Sequence, residues 1–328
     1  MSEPEPLDLS IVVCTRNRAE LLDGLMATLA GQATPARRHE IWIVDNGSSD
    51  ATPARAAAWA VAHPHVHVVR EERTGLAHAR NRGFRESRGR WVAYVDDDAR
   101  APAGWVEHAL RVLAERAPEL LGGPYRPFYL SPRPAWFQDR YQSKTLGDAP
   151  RDLGEGEFFS GTCIAIRRDV LEKLGGFDAG LGMAGRQLGY GEETALQLRV
   201  RRELQPRARF WYDPALAVEH LVGAKKMEIG WILRSHFAAG RDAWLVLGGA
   251  GARRSPLVRG ARIAVLGLAH PLAFGLRVLW AALFRDRRRF PDVRNHVYER
   301  SVRHVRALGA LWADARDLAG RRRAPRSC

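Results

Sequence analysis

Apolar positions along the first hundred residues alternate between two periods. Leu9 to Cys14 (LSIVVC) is an apolar run of strand length, closed by the polar cluster Thr15–Arg18, and Glu20 to Leu29 then repeats apolar residues at helical spacing. A second buried run, Ile41 to Val44, ends at Asp45-Asn46-Gly47-Ser48-Ser49-Asp50, a turn rich in capping residues ahead of an alanine-rich helix through Ala62. Val66 to Val69 predicts a third strand, Leu76 to Glu86 a helix, and Trp91 to Val95 a fourth strand. Strands that read as unbroken apolar runs between helices predict an α/β fold with a mostly parallel sheet flanked by helices. In such sheets ligands bind beyond the carboxyl ends of the strands, where Thr15–Arg18, Asp45–Asp50 and Asp96–Asp98 all fall.

The pattern changes from Gly122 to Gly161, a stretch rich in proline and aromatic residues that predicts a substrate-facing loop insertion. A strand and helix follow at Cys163 to Leu174, and another helix runs from Glu192-Glu193 to about Leu204. Beyond Lys226 the pattern is helical. Met227 to Leu247 carries a broad apolar face, and Ile263 to Phe284 is long enough to span a bilayer. His270-Pro271 and Arg277 predict a break in that second segment. The expected division is an α/β domain over 1–226 and a basic, amphipathic helical extension over 227–328 with a disordered end.

Charge sharpens this division. The 328 residues carry a formal net charge of +14, yet Leu221 to Cys328 holds 22 basic and 7 acidic residues. The first 220 positions hold 29 basic and 30 acidic residues, which excludes a uniformly basic nucleic-acid binder. Arginine clusters flanking apolar helices fit an anionic membrane surface. Packing on the catalytic core or forming a homodimer would use the same helices equally well. Three scattered cysteines, Cys14, Cys163 and Cys328, suit a reducing cytosol, and the acidic start Met1–Glu5 is unlike a signal peptide.

The acidic residues offer chemistry. Asp96 and Asp98 leave a buried strand on the same side, so both can face one hard cation, although a solvated acidic turn satisfies the same pattern. Glu192-Glu193 opens a helix, where the dipole alone favours two acids. His220 is a lone histidine near Lys225-Lys226. His63, His65 and His67 alternate as they would on one strand face, with no carboxylates beside them to suggest a metal site. Trp136 and Phe137 could stack on a sugar ring or fill a core.

Taken together, SIVVCTRNRAELL (10–22), IWIVDNGSSDAT (41–52), GLAHARNRGFRESRGRWVAYVDDDA (75–99), GTCIAIRRDVLEKLGGFD (161–178) and GYGEET (189–194) resemble the family 2 glycosyltransferases. The resemblance covers roughly residues 8–245. It implies a GT-A fold, Rossmann-like, with a C-terminal helical extension, and inverting transfer of a sugar from a nucleotide diphosphate. By position it implies nucleotide-sugar binding by Thr15, Arg16, Asp45, Arg80, Asp96 and Asp97, and a Mn²⁺ or Mg²⁺ site of Asp98, Asp96 and His220. It also implies a catalytic base at Glu193, with Glu192 as the alternative, because this chain has Glu where the family usually has Asp. The expected partners are a UDP- or GDP-sugar and a glycan or lipid-linked acceptor, with no nucleic acid. The expected place is the cytoplasm, peripheral to the inner face of the cell membrane. The competing reading is a non-catalytic nucleotide-sugar or glycan-binding scaffold on the same fold.

Overall fold

The computed structural model describes residues 7–32, 38–185, 187–204, 208–247 and 255–320. The N-terminal hexapeptide and the arginine-rich end with Cys328 lie outside the described residues. β1 (Leu9–Thr15), α1 (Ala19–Leu29), β2 (His39–Asp45), α2 (Thr52–Ala62), β3 (Val66–Arg70), α3 (Leu76–Glu86) and β4 (Trp91–Val95) follow in the predicted order. They are succeeded by β5 (Ala99–Arg100), α4 (Trp105–Arg116), β6 (Leu120–Gly122), β7 (Tyr125–Phe128), β8 (Arg151–Asp152) and β9 (Cys163–Arg167). α5 (Arg168–Leu174), α6 (Glu192–Leu204), β10 (Phe210–Tyr212) and β11 (Val218–Leu221) complete this part.

The large sheet has the order β3-β2-β1-β4-β9-β6-β10-β8. β1 pairs in parallel with β2 and β4, β2 with β3, and β6 with β10. β9 is antiparallel to both β4 and β6, and β8 to β10. Both faces are covered, as the unbroken apolar strands require. Leu9, Ile11 and Val13 point into a core with α1, α2 and α4, while Val12 and Val44 point into another with α3, α5 and α6. A small second sheet has the order β5-β11-β7 and sets His220 opposite Ala99, directly after the three aspartates.

The chain forms two compact units, and the division differs from a single cut at 226/227. Met1–Phe128, Gln142–Ala179 and Glu193–Leu221 form the first, which holds both sheets; Tyr129–Tyr141, Gly180–Glu192 and Val222–Cys328 form the second. The physical reason is aromatic burial. Trp136, Phe137 and Tyr141 share a core with Val222, Met227 and Ile232, so they are not sugar-stacking platforms on an open loop.

The second unit contains α7 (Ile229–Val246), α8 (Pro256–Phe284), α9 (Val293–His296) and α10 (Val302–Leu318), with one π-helical turn at Val297–Ser301. Tyr298 stacks on Tyr141 at 3.9 Å between ring centroids, and the buried Asn295 donates to the Tyr141 hydroxyl at 2.9 Å. The predicted break at His270-Pro271 is corrected: α8 begins at Pro256, capped by the Ser255 side chain, and runs through Pro271. Arg259, Arg262 and His270, all before the proline, bind α10 and hold that half of the helix in place. By length and composition α8 could cross a membrane.

Candidate active site

The register of the parallel strands assembles the first part of the site. Thr15 lies opposite Asp45 across β1 and β2, and Asp45 opposite Arg70 across β2 and β3. All three therefore sit at the carboxyl edge of the sheet. Asp45 is buried; its Oδ1 accepts from the Ser48 amide at 3.0 Å, and its Oδ2 lies 3.3 Å from the Arg70 guanidinium. It organises its own turn and still faces the strand ends. Asn17, with φ 53°, ties the two loops together: its amide donates to Ser48 Oγ and its Oδ1 accepts from the Ser49 amide. Asparagine tolerates this left-handed conformation better than most residues. Arg16 is half-buried just past β1, with one terminal nitrogen that is buried and makes no hydrogen bond among the described residues.

The aspartate turn forms the second part. The Ala99 amide donates to the Asp96 carbonyl, and the Leu221 amide to the Asp98 carbonyl, which fastens β11 against the turn. Ligand atoms of Asp96, Asp98 and His220 consequently lie within 4.8 Å of one another. His220 Nε2 is 3.1 Å from Asp98 Oδ1 and 3.8 Å from Asp96 Oδ2. Two carboxylates and an imidazole converging at this separation fit a divalent ion that takes oxygen and nitrogen ligands. Arg18 closes the other side, donating to Asp97 at 2.7 Å and to the second oxygen of Asp98 at 3.2 Å. Burial pushes the Asp97 carboxyl up to about 6, against the lowering pull of Arg18. Asp97 faces the arginine and not the cation cluster.

Arg80 is not a surface arginine. It is buried in α3, packs over the rings of Tyr94 and Phe177, and reaches within 3.7 Å of Asp96. Gly161 makes room for it, since a Cβ there would stand 2.4 Å from the Arg80 guanidinium.

The two glutamates separate. Glu192 is buried, and its carboxyl packs against Gly182, where a Cβ would come within 2.8 Å. Glu193 is half-buried and within electrostatic reach of Tyr125 and Lys144. Tyr125 is also close enough to Asp96 to feel its charge, and its ring lies 5.7 Å from His220. Thus Tyr125 links the neighbourhood of Glu193 to that of the cation cluster. Burial lowers the pKa of Lys144, whose backbone bridges to Tyr125.

Burial favours the protonated thiol at both described cysteines. Burial pushes the thiols of Cys14 and Cys163 up to about 12, and Cys163 donates to the Leu216 carbonyl. The three histidines do not share a strand face. Only His67 lies in β3, tilted against Trp42, while His65 packs edge-on to His39.

Residues 10–175 match the family model described as Glycosyl transferase family 2. The chain belongs to that family. Two relatives from Haloferax volcanii share 26% identity with it: glycosyltransferase AglE over 170 residues, and glucosyl-dolichyl phosphate glucuronosyltransferase over 178. Each alignment covers 52% of this chain and 55% of the relative, so the chain spans about half the length of these curated relatives. The solved structure of mannosyltransferase PcManGT from Pyrobaculum calidifontis, in complex with GDP-Man and Mn²⁺, matches with a TM-score of 0.59. It is 21% identical and covers 98% of this chain and 92% of its own, which establishes the GT-A fold with a C-terminal helical part.

In this family 2 chain, three residues of the site escaped the sequence reading. Arg18 lies in the polar cluster after β1, but spacing alone could not reveal its reach to Asp97 and Asp98. Tyr125 and Lys144 lie in the proline-rich stretch, where no periodicity marks a site.

Proposed function

We propose that the protein is an inverting, metal-dependent glycosyltransferase that moves a sugar from a UDP- or GDP-sugar to a hydroxyl of a glycan or lipid-linked acceptor. The observation that carries this reading is the convergence of Asp96, Asp98 and His220 at the sheet edge, with Tyr125 linking it to Glu193. Asp98, Asp96 and His220 would hold Mn²⁺ or Mg²⁺, which when bound neutralises charge building on the leaving diphosphate. The relatives' names support the acceptor class, since one is named for a dolichyl-phosphate-linked glucose.

Thr15, Arg16 and Asp45 bind the nucleoside end, Asp45 as acceptor for the base. Arg80, buried and fixed by two rings, offers charge to the diphosphate without reorganising. Asp96 contacts the ribose as well as the cation site, and Asp97 holds Arg18 in place. The acceptor hydroxyl attacks the anomeric carbon from the face opposite the diphosphate. As the new C–O bond forms, the bond to the diphosphate breaks and the hydroxyl proton passes to Glu193. Glu193 is preferred to Glu192 because the latter's carboxyl is packed against Gly182. The proposed place of action is the cytoplasm, at the inner face of a membrane that would hold a lipid-linked acceptor.

Calorimetry with UDP and GDP, with and without Mn²⁺, tests the cation site. Asp98→Ala should abolish the Mn²⁺-dependent part of binding, and undiminished binding would remove Asp98 from that role. Glu193→Gln should keep donor binding and lower turnover about 10²–10⁴-fold. Loss of turnover only in Glu192→Gln would reassign the base. Donor binding by the unaltered protein without turnover on any acceptor would instead favour the scaffold reading.

A further inference from the structure

A helix packed on a water-soluble protein buries its apolar stripe and shows its polar one. α8 does the reverse. Its four ionisable residues, Arg259, Arg262, His270 and Arg277, recur on one stripe, and that stripe faces the protein. Arg259 binds Asp314 and Asp317 of α10, Arg262 lies 3.7 Å from Asp314, and His270 meets His304 at 3.1 Å. Arg277 is within electrostatic reach of His296 and His304. The opposite face runs from Leu257 to Leu283 without a charge. Leu257 is 87% exposed, Leu268 78% and Leu283 65%, and Leu272, Leu276 and Leu279 lie open between them. A continuous apolar face of this length is out of place in water.

We infer that α8 lies in the plane of an anionic lipid surface, with this outer face sunk into the boundary between head groups and acyl chains. Three features select this occupant and orientation. First, α10 runs antiparallel along α8, since Arg259 meets the end of α10 and His270 its beginning. α10 leaves Arg303, Arg306 and Arg316 exposed, so a spanning α8 would carry these charges into hydrocarbon. In the plane, they stay in water. Second, α8 is followed directly by Arg285, Arg287, Arg288 and Arg289, the last three exposed, in a segment of strong positive surplus. This charge complements anionic head groups. Third, Trp280 packs its ring against His296 yet stays half exposed, and tryptophan favours the membrane–water boundary.

This inference stands apart from the transferase reading, because vesicle binding needs no donor, cation or turnover. Full-length protein should co-sediment with phosphatidylglycerol-containing vesicles and far less with phosphatidylcholine alone, with a blue shift of tryptophan emission. The double variant Leu272→Glu/Leu276→Glu should weaken binding at least about tenfold. Its circular dichroism and melting should match the parent, since both positions are exposed. Asp98→Ala should bind vesicles normally. Nitroxide labels at Val265 and Leu283 should report the same shallow depth. A steady depth gradient between them would overturn the in-plane orientation. Absence of vesicle binding by the folded protein would overturn the proposal. So would a lipid-free dimer that the Leu272/Leu276 variant dissolves, since a second copy would then cover the face.

Discussion

At the scale of single residues, the site depends on groups that hold their neighbours in place. Arg80 illustrates this. In its proposed role its charge would serve a diphosphate only while the guanidinium stays over Tyr94 and Phe177, and the absence of a side chain at Gly161 lets it do so. Gly161→Ala would force a Cβ to 2.4 Å from the guanidinium, and the arginine or the β9 approach must yield. Overpacking of this kind costs typically about 1–3 kcal/mol. The expected outcome is a folded protein whose nucleotide-sugar affinity, measured by calorimetry, falls about tenfold or more. Normal affinity would show that Arg80 makes no useful contact. Arg18 is a second such group: by taking one oxygen of Asp98, it leaves the other facing His220.

At the scale of elements, α8 is attached by charge to a degree unusual for so apolar a helix. Asp314 is fully buried and receives Arg259. Among the described residues, Arg259→Leu would leave that carboxylate with the more distant Arg262, at 3.7 Å, as its remaining cation. Breaking a buried pair on one side destabilises by roughly 3–5 kcal/mol, whereas removing both partners is far milder. Hydrogen exchange in α8 and α10 should therefore accelerate in Arg259→Leu and recover in part when Asp314→Leu is added. Unchanged exchange in the single variant would show that apolar packing alone holds the helix. The sequence displayed the long elements well, because β1, β2 and β4 bury nearly unbroken apolar runs and α1 an apolar stripe. It concealed β5, β7 and β11, which have two to four residues and no measurable period. Pro127 within β7 argues further against a strand. Nor could it reveal that Trp136 and Phe137 belong to the second core, since apolar patterning shows that a residue is buried but not against what. For the same reason Asp96 and Asp98 were legible as a cluster, whereas Tyr125 reaches it, and Lys144 reaches Glu193, only through folding.

At the scale of the whole molecule, burial lowers the pKa of histidines in both units, His39 in the first and His236, His296 and His304 in the second. The first unit carries a buried histidine that must remain neutral. His39, at the start of β2 beside His65, is pushed down from 6.5 to about 4, chiefly by burial and further by the neighbouring histidine. In the unfolded chain it titrates near its ordinary value. Between those values the unfolded state binds more protons than the folded one, so stability rises with pH. The contribution is fully present above about 6.5, falls as pH drops toward 4, and changes no further below that. Its size across the window is on the order of 3 kcal/mol. Urea unfolding followed from pH 7 to 4 should show this decline, and His39→Gln should flatten it. Paired carboxylates of the same unit act lower. Hydrogen bonding from Arg73 holds Glu71 down at about 2, so its contribution is lost only as pH falls below 4.5. If His39→Gln leaves the slope between 6.5 and 4 unaltered, the histidine is not the group that must discharge on folding. The acid sensitivity would then belong to another group.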